Sequence, residues 1–260
     1  MDKAQPRIGT AGWSVPRTAT ALFGCEGSQL QRYSARFSCA EINTSFYRPH
    51  RPETYARWAA SVPDGFRFAV KMPRAITHEA RLRDAHPPLK AFFDQVHALG
   101  PALGPILIQL PSSLEFDFAF TDTFLYSFRQ LFPGQAVLEP RHRTWFVPTA
   151  DELLCAYHVG RVAADPARCP EAATPGGCPD LRYWRLHGSP RMYFTPYGDA
   201  RLRRLADKLS PSDWCIFDNT ASGAATTDAL LLQSIFSHGL TSPMPEQRDP
   251  VDAGVMTGIR

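Results

Sequence analysis

The spacing of hydrophobic residues is typical of β-strands in some segments of the chain and of α-helices in others. Short runs rich in β-branched and aromatic residues, which are typical of buried strands, recur eight times. They are RIGTAGW (7–13), AEINTSFY (40–47), FRFAVKM (66–72), PILIQLP (105–111), QAVLEPR (135–141), RVAADP (161–166), RYWRLHG (182–188) and DWCIFDN (213–219). The pattern therefore predicts eight β-strands.

Most of the segments between these runs have apolar residues at helical spacing. The clearest one begins at Pro87, carries Leu89, Phe92 and Val96 on one stripe, and stops at Gly100. Comparable patterns cover residues 28–37, 52–62, 121–132, 149–160, 199–209 and 226–239. The sequence thus predicts that strands and helices alternate.

Alternation of strands and helices favours a parallel sheet, and eight such units favour closure into a (βα)₈ TIM barrel. An open, doubly wound sheet is the structural alternative. Residues 166–180 are rich in proline and glycine and have no apolar period, so we expect a poorly helical connection between strands six and seven. The fold class is therefore α/β, an irregular barrel, with one domain at 1–240 and a C-terminal tail at 241–260.

Composition narrows the class of protein. Hydrophobic residues make up 44% of the 260 and charged residues 20%, which excludes a globally disordered chain. The formal net charge of +3 permits an anionic ligand but does not by itself indicate a nucleic-acid-binding protein.

Membrane and secretory signals are not evident in the sequence. No run approaches the roughly 18 apolar residues of a membrane span, and the N-terminus lacks the apolar core of a signal peptide. The six cysteines include no CxxC pair, and the spacing of Cys169 and Cys178 matches no zinc-ligand pattern. We expect a cytoplasmic protein with reduced thiols and no membrane partner.

Candidate chemistry is expected where the strands of a barrel end, because the carboxyl ends of all eight open onto one mouth. All predicted strands after the first end in polar residues, namely Glu41, Asn43, Lys71, Gln109, Glu139, Arg141, Asp165, Arg185, His187, Asp218 and Asn219.

The second predicted strand has two chemically different faces. Alternation along a strand places Glu41, Asn43 and Ser45 on the lumen face. The other face, with Ile42, Thr44 and Phe46, is expected to pack under helices. A buried carboxylate needs a paired cation, so Glu41 must have partners across the lumen.

These residues predict an enzyme that binds a phosphorylated or anionic compound, such as a hydrolase or a lyase. Glu41 or Glu139 is the expected general base, and Lys71 or His187 the acid or charge stabiliser. The predicted ligand contacts are Asn43, Tyr47, Gln109, Arg141, Trp145, Arg185, Tyr193, Tyr197 and Asn219.

A bound metal fits the charges less well than an anion does. Glu41, Glu139, Asp165 and His187 could supply ligands, but three cations, Lys71, Arg141 and Arg185, would crowd the same space. The sequence therefore predicts neither metal nor cofactor.

A phosphate is expected near the loops after strands seven and eight, with Arg185, Tyr193 and Tyr197 as donors. The helix start in NTASGAATTDAL could add backbone N–H groups. The alternative at that helix start is that Ser222 or Thr220 simply caps the helix.

Two other functions remain open from the sequence. One is a non-catalytic nucleic-acid-binding protein that uses Arg141, His142, Arg143 and Arg191 as phosphate contacts beside stacking aromatics. The other is a metal-dependent nuclease-like enzyme, which rests on analogy between barrel folds.

The runs IGTAGW, EINTSFYR, FAVKMP, ILIQLP, EPRHRTWF, RLHG and FDNTASGAA, in this order, resemble the YecE-like family, domain of unknown function 72. The resemblance extends roughly from Ile8 to Phe236 and implies an irregular TIM barrel without specifying a reaction. One departure is Asp218, where many relatives would be expected to carry an amide; it adds negative charge near the expected anion site.

Overall fold

The computed structural model of the chain describes residues 5–238. Its strands are β1 (Arg7–Thr10), β2 (Cys39–Ile42), β3 (Arg67–Lys71), β4 (Leu103–Gln109), β5 (Ala136–Glu139), β6 (Val159–Arg161), β7 (Ala163–Asp165), β8 (Gly176–Gly177), β9 (Tyr183–Leu186) and β10 (Trp214–Phe217). Its α-helices are α1 (Gln29–Ser34), α2 (Pro52–Ala60), α3 (His86–Val96), α4 (Phe118–Leu131), α5 (Pro148–Ala156), α6 (Asp199–Ala206) and α7 (Ala224–His238).

The strands form two sheets, in the orders β2-β3-β4-β5-β6-β8 and β1-β10-β9-β7. Every pair of these strands is parallel except the short antiparallel ladder between β6 and β8. The predicted α/β class with parallel strands is confirmed.

The two sheets meet at both of their sides. Only Val162 separates β6 from β7, and its N–H donates to the carbonyl oxygen of Leu138 at 2.9 Å, so residues 159–165 pass from one sheet into the other. On the other side, Ala11 bridges to Glu41, and the N–H of Gly12 donates to the Glu41 carbonyl oxygen at 2.7 Å. With β6 and β7 counted as one strand and β8 left out, the order of neighbours is consistent with an eight-stranded barrel.

Alternate residues of the strands build a small apolar core of their own, separate from the larger core that the helices cover. It contains Cys39, Ala69, Leu107, Val137, Tyr183 and Ile216, all buried. Two positions further along the same six strands come Glu41, Lys71, Gln109, Glu139, Arg185 and Asp218. Because side chains alternate with a period of two, these polar residues form the next layer towards the carboxyl ends of the strands.

Strand β2 is shorter than predicted. It ends at Ile42, and residues Thr44–Phe46 form a 3₁₀ helix. The Ser45 hydroxyl stabilises this turn because it donates to the carbonyl oxygens of Ile42 at 3.0 Å and Lys71 at 2.6 Å. The prediction that Thr44 packs under helices is therefore wrong, since its side chain is exposed.

The connection between β7 and β9 has the predicted irregular character. It contains a short 3₁₀ helix, Pro170–Ala173, and strand β8. Asp151 on α5 fastens it, since one carboxylate oxygen accepts from the Gly177 N–H at 2.9 Å and from Arg161 Nε at 2.7 Å.

Within residues 5–238, no helix is long and apolar enough to cross a membrane. The predicted tail, residues 241–260, lies outside the described residues.

Candidate functional site

Arg185, on β9, lies at the centre of a buried ionic cluster. Its Nε and Nη2 donate to the two oxygens of Glu41 at 3.0 and 2.7 Å, and its Nη1 donates to Glu139 Oε2 at 2.6 Å. Asp218 Oδ2 accepts from Nη2 at 3.1 Å. All the polar atoms of this guanidinium contact carboxylates of the chain itself, and the side chain is fully buried.

Glu139, at the end of β5, is the second centre of the cluster. Besides Arg185 it accepts from Gln109 Nε2 at 3.1 Å and pairs with Arg141 Nη2 at 2.6 Å. His187 Nε2 lies 3.0 Å from Glu139 Oε1, while its Nδ1 lies 3.0 Å from Asp218 Oδ2. The imidazole thus joins two carboxylates from different strands.

The charges in the cluster decide its protonation. Burial alone raises the pKa of Glu139, but the nearby Arg141 and Arg185 outweigh burial and hold this pKa well below its usual range. The pKa of Asp218 is lowered for the same reason, with Arg185 outweighing burial. Both carboxyl groups are therefore ionised at neutral pH.

Lys71, the last residue of β3, differs from the other cations. Among residues 5–238 its ammonium has no hydrogen-bond or ion-pair partner; Nζ lies 4.1 Å from the centroid of the Phe46 ring. Burial, followed by repulsion from Arg185, lowers the pKa of Lys71 to about 8. A considerable share of this amine is neutral near physiological pH.

Aromatic rings surround Lys71 at the mouth. Phe46 packs edge-on against Tyr47 and His78, with ring centroids 5.0 and 4.9 Å apart. Tyr47 is 71% exposed and Tyr193 43% exposed, so both can contact a bound molecule. Burial lowers the pKa of His78, and the charges of Lys71, Arg74 and Arg141 lower it further.

Three buried polar atoms of the predicted contacts lack a hydrogen-bond partner among the described residues. They are Asn43 Oδ1, Arg141 Nε and Asn219 Oδ1, on residues that follow β2, β5 and β10. Unpaired buried polar atoms are uncommon and destabilising. Asn43 follows β2, the neighbour of the Lys71 strand β3, and Arg141 follows β5, two strands away on the other side. A ligand at the mouth would complete the hydrogen bonding of such atoms.

Three of the predicted ligand contacts lie away from this mouth surface. Trp145 is 1% exposed and donates its indole N–H to the Leu114 carbonyl oxygen at 2.9 Å. Tyr197 is buried, and its hydroxyl accepts from the Gly188 N–H at 2.9 Å. Asn219 is fully buried and donates to Asp228 Oδ2 at 2.7 Å. Through these hydrogen bonds all three side chains hold loops together.

The start of α7 has few free donors. The Gly223 N–H donates to the Thr220 carbonyl oxygen at 3.0 Å, and the Ala224 N–H approaches the Ser222 hydroxyl at 3.4 Å. The Ala225 N–H donates to the carbonyl oxygen of Asn219 at 3.2 Å. The chain itself therefore occupies the amides that were expected to hold a phosphate, and Ser222 acts as a cap.

The basic run after β5 is partly neutralised. Arg141 pairs with Glu139, and His142 Nδ1 contacts the Thr144 hydroxyl at 2.9 Å, which leaves Arg143 exposed. Asp165, a candidate metal ligand in the sequence, pairs with Arg201 at 2.8 Å instead of joining the cluster.

Sequence reasoning missed part of the site. Tyr183 donates its hydroxyl to Glu41 Oε2 at 3.0 Å, and its i, i+2 relation to Arg185 was the available signal. Asp218 was treated as a departure, yet it is a partner of Arg185 and His187. His78 lies in the short π-helix Ala75–Glu79 after β3, and no local pattern marks it as a mouth residue.

Several solved structures and curated proteins are similar to this chain. The chain is similar to a DUF72 family protein from Thermotoga maritima, with a TM-score of 0.74 and 23% identity over 90% of this chain and 99% of that one. A DUF72 family protein from Enterococcus faecalis gives a TM-score of 0.74 and 20% identity, over 94% of this chain and 100% of that one. At these identities the likeness shows the fold alone.

The Escherichia coli protein YecE, described as a UPF0759 protein, is 33% identical over 106 residues, which are 41% of this chain. The aligned segment spans only 38% of the length of YecE. The family model described as "Protein of unknown function DUF72" matches residues 7–249, nearly the whole chain. The chain therefore belongs to the DUF72 family.

Proposed function

We propose that the chain is an enzyme that acts on a small phosphorylated or otherwise anionic compound, bound at the carboxyl-end mouth of an irregular (βα)₈ barrel. The observation that carries the proposal is the Lys71 ammonium. It is buried, it has no partner among residues 5–238, and its pKa is lowered to about 8. A strongly shifted pKa in a polar cleft is typical of a functional group.

The carboxylates are better suited to positioning than to proton transfer. Glu41 and Glu139 are fully buried and already accept hydrogen bonds from Arg185. A base must be within reach of a substrate proton, and these oxygens are covered by their own partners. Their role in the proposal is to hold Arg185 and, through His187 and Arg141, to shape the floor of the mouth.

Lys71 supplies the reactive group in either of its two forms. The neutral amine accepts a proton from the substrate, and the ammonium stabilises negative charge that develops on it. A pKa near the working pH allows both forms to be populated in the same cycle.

Arg141 is the proposed anchor for the anion. One of its Nη atoms pairs with Glu139, whereas its Nε has no partner among the described residues. The charges of Lys71 and Arg141 both lower the pKa of His78, which supports a shared positive region at the mouth. An anionic group between them would complete the hydrogen bonding of Arg141 and raise the pKa of Lys71.

The test is a panel of sugar phosphates, other phosphorylated metabolites, nucleotides and short oligonucleotides, scored by thermal stabilisation and by turnover. We expect a phosphorylated small molecule to score, and Lys71→Met to lower its turnover by about 10²–10⁴-fold, the usual contribution of a positioned acid or base.

Lys90→Met is the matched control, since Lys90 is exposed and pairs only with Asp94 on its own helix. Equal losses in both variants would contradict the proposal, as would a panel without any hit. Salt-sensitive binding of oligonucleotides without turnover would favour the nucleic-acid-binding alternative.

A further inference from the structure

Three potential metal ligands from the poorly helical connection and the strand beside it lie together at the far end of the sheets. They are the imidazole of His158, the thiol of Cys178 and the carboxylate of Asp180, whose ligand atoms all lie within 4.8 Å of one another. His158 directly precedes β6, so the group is near the amino end of the strand, away from the mouth.

The backbone fixes these residues relative to one another. The ladder between β6 and β8 pairs Gly160 with Gly177, and the N–H of Cys178 donates to the Val159 carbonyl oxygen at 2.9 Å. This hydrogen bond anchors Cys178 beside the residue that follows His158. Two ligands far apart in sequence are therefore held in register by main-chain contacts.

His158 has an unusual backbone conformation, with a φ of +53°. Left-handed conformations are uncommon for residues other than glycine and often occur at functional positions. The guanidinium of Arg129 supports it, because Nη2 donates to the His158 carbonyl oxygen at 2.9 Å and Nε to the Tyr157 carbonyl oxygen at 2.7 Å. The imidazole is thereby presented next to Cys178.

We propose that His158, Cys178 and Asp180 form a Zn²⁺ site with three protein ligands, which holds the connection between β7 and β9 to the start of β6. Zinc binds thiolate, imidazole and carboxylate at about 2.0–2.3 Å, which places ligand atoms roughly 3.3–3.8 Å apart in a tetrahedron. Cys178 Sγ and Asp180 Oδ2 are 3.5 Å apart. His158 and Asp180 are exposed, so their side chains can close the remaining distance, and water can take the fourth position.

The donor set points to zinc among common metals. A mixed sulfur, nitrogen and oxygen set suits Zn²⁺ and excludes Mg²⁺ and Ca²⁺, which prefer oxygen ligands alone. The position near the amino ends of the strands suits a structural role, because in barrels this face serves stability. The nearby charge of Arg129 opposes a cation, but its N–H groups are occupied by carbonyl oxygens.

The experiment uses the full chain, stripped of metal with a chelator and kept under a phosphine reductant. We expect one Zn²⁺ per chain by competition with a chromophoric chelator, a higher melting temperature with Zn²⁺, and a thiolate-to-metal charge-transfer band with Co²⁺. Cys178→Ser should abolish that band and weaken Zn²⁺ binding more than about 10–100-fold, the range caused by loss of a mere outer-shell partner.

Cys169→Ser is the matched control, because Cys169 lies in the same connection but outside the cluster, and it should retain all three signals. His158→Asn, which tolerates the left-handed conformation, provides a second test at an exposed site if Cys178→Ser does not fold. No charge-transfer band in the parent chain, or unchanged Zn²⁺ binding in Cys178→Ser or His158→Asn, would overturn the proposal. These signals are independent of turnover at the mouth.

Discussion

Arg185 and Glu41 form a two-point ion pair in which neither side chain is exposed. Nε lies 3.0 Å from one carboxylate oxygen and Nη2 lies 2.7 Å from the other. The two residues come from β9 and β2, strands that belong to different sheets. The pair therefore connects opposite parts of the molecule through its lumen.

Replacing Arg185 tests how much the buried cluster depends on this cation. Arg185→Met leaves Glu41, Glu139 and Asp218 without their shared partner, and uncompensated buried charge is strongly destabilising. We expect the free energy of unfolding, measured in urea, to fall by about 3–5 kcal/mol.

Arg203→Met provides the comparison for Arg185→Met. Arg203 pairs with Asp199 one turn away on α6, near solvent, so its loss should leave stability close to that of the parent. A loss in Arg185→Met no larger than in this control would mean that the carboxylates find other partners or become protonated.

The gathering of Glu41, Lys71, Glu139 and Arg185 was predictable because it follows from two simple regularities. Side chains alternate along a strand, and parallel strands end at one edge. Each of these residues lies two positions beyond an apolar inward-facing residue on its strand, so the sequence alone predicts that they form one layer.

The end of β2 and the place of Trp145 depend on tertiary contacts that no local pattern contains. Strand-favouring residues continue to Tyr47, yet the hydrogen bond from Ser45 to the Lys71 carbonyl oxygen holds a turn there. Trp145 packs edge-on against Phe116 with centroids 5.1 Å apart. An aromatic ring that follows a strand can pack against a ligand or against a neighbouring loop, and only the tertiary structure shows which of the two it contacts.

The titration of Lys71 can be followed directly. The chain has four lysines, Lys3, Lys71, Lys90 and Lys208, so ¹³C-methylation of the amines gives few NMR signals. We expect a lysine signal with a midpoint of about 8, because burial and Arg185 favour the neutral amine. The methylated α-amino group of the chain titrates in the same range, at about 7.7–8.0. The lysine signal should be missing from Lys71→Arg, whereas the α-amino signal should remain. A midpoint within a few tenths of the ordinary lysine value of about 10.4 would contradict the proposed role of Lys71.

Removing the Lys71 charge should stabilise the protein in a pH-dependent way. Its pKa is about 8 in the folded chain against an ordinary lysine value of about 10.4, so the burial penalty is fully present below pH 8. Between these values the unfolded chain binds more protons, and stability rises with pH. We expect Lys71→Met to be about 2 kcal/mol more stable than the parent at pH 7, after loss of the contact with Phe46, with the difference shrinking towards pH 10.

Urea unfolding at several pH values measures this difference, with Lys90→Met as the control for removal of a lysine charge at the surface. A pH-independent difference would show that packing rather than ionisation is responsible. Greater stability combined with loss of turnover would be the usual compromise at a site that keeps a charge buried for function.

Tyr193 and Tyr197, two predicted ligand contacts in one loop, can be separated by the same substitution. The Tyr197 hydroxyl accepts from the Gly188 N–H and donates to the Asp165 carbonyl oxygen at 3.2 Å. Tyr197→Phe leaves a buried N–H unpaired, so we expect a loss of about 1–3 kcal/mol in the free energy of unfolding and unchanged ligand affinity.

Tyr193 is 43% exposed with its ring 6.1 Å from that of His187, so Tyr193→Phe should keep stability and weaken binding.

Calorimetric titration with a hit from the ligand panel, run beside urea unfolding, distinguishes the two tyrosines. If Tyr197→Phe weakened binding while stability stayed the same, its hydroxyl would have to reach the ligand, and the loop would rearrange on binding. If Tyr193→Phe affected neither quantity, the anion would be held by Lys71 and Arg141 without help from this loop, because Tyr193 is the loop tyrosine that the structure leaves accessible.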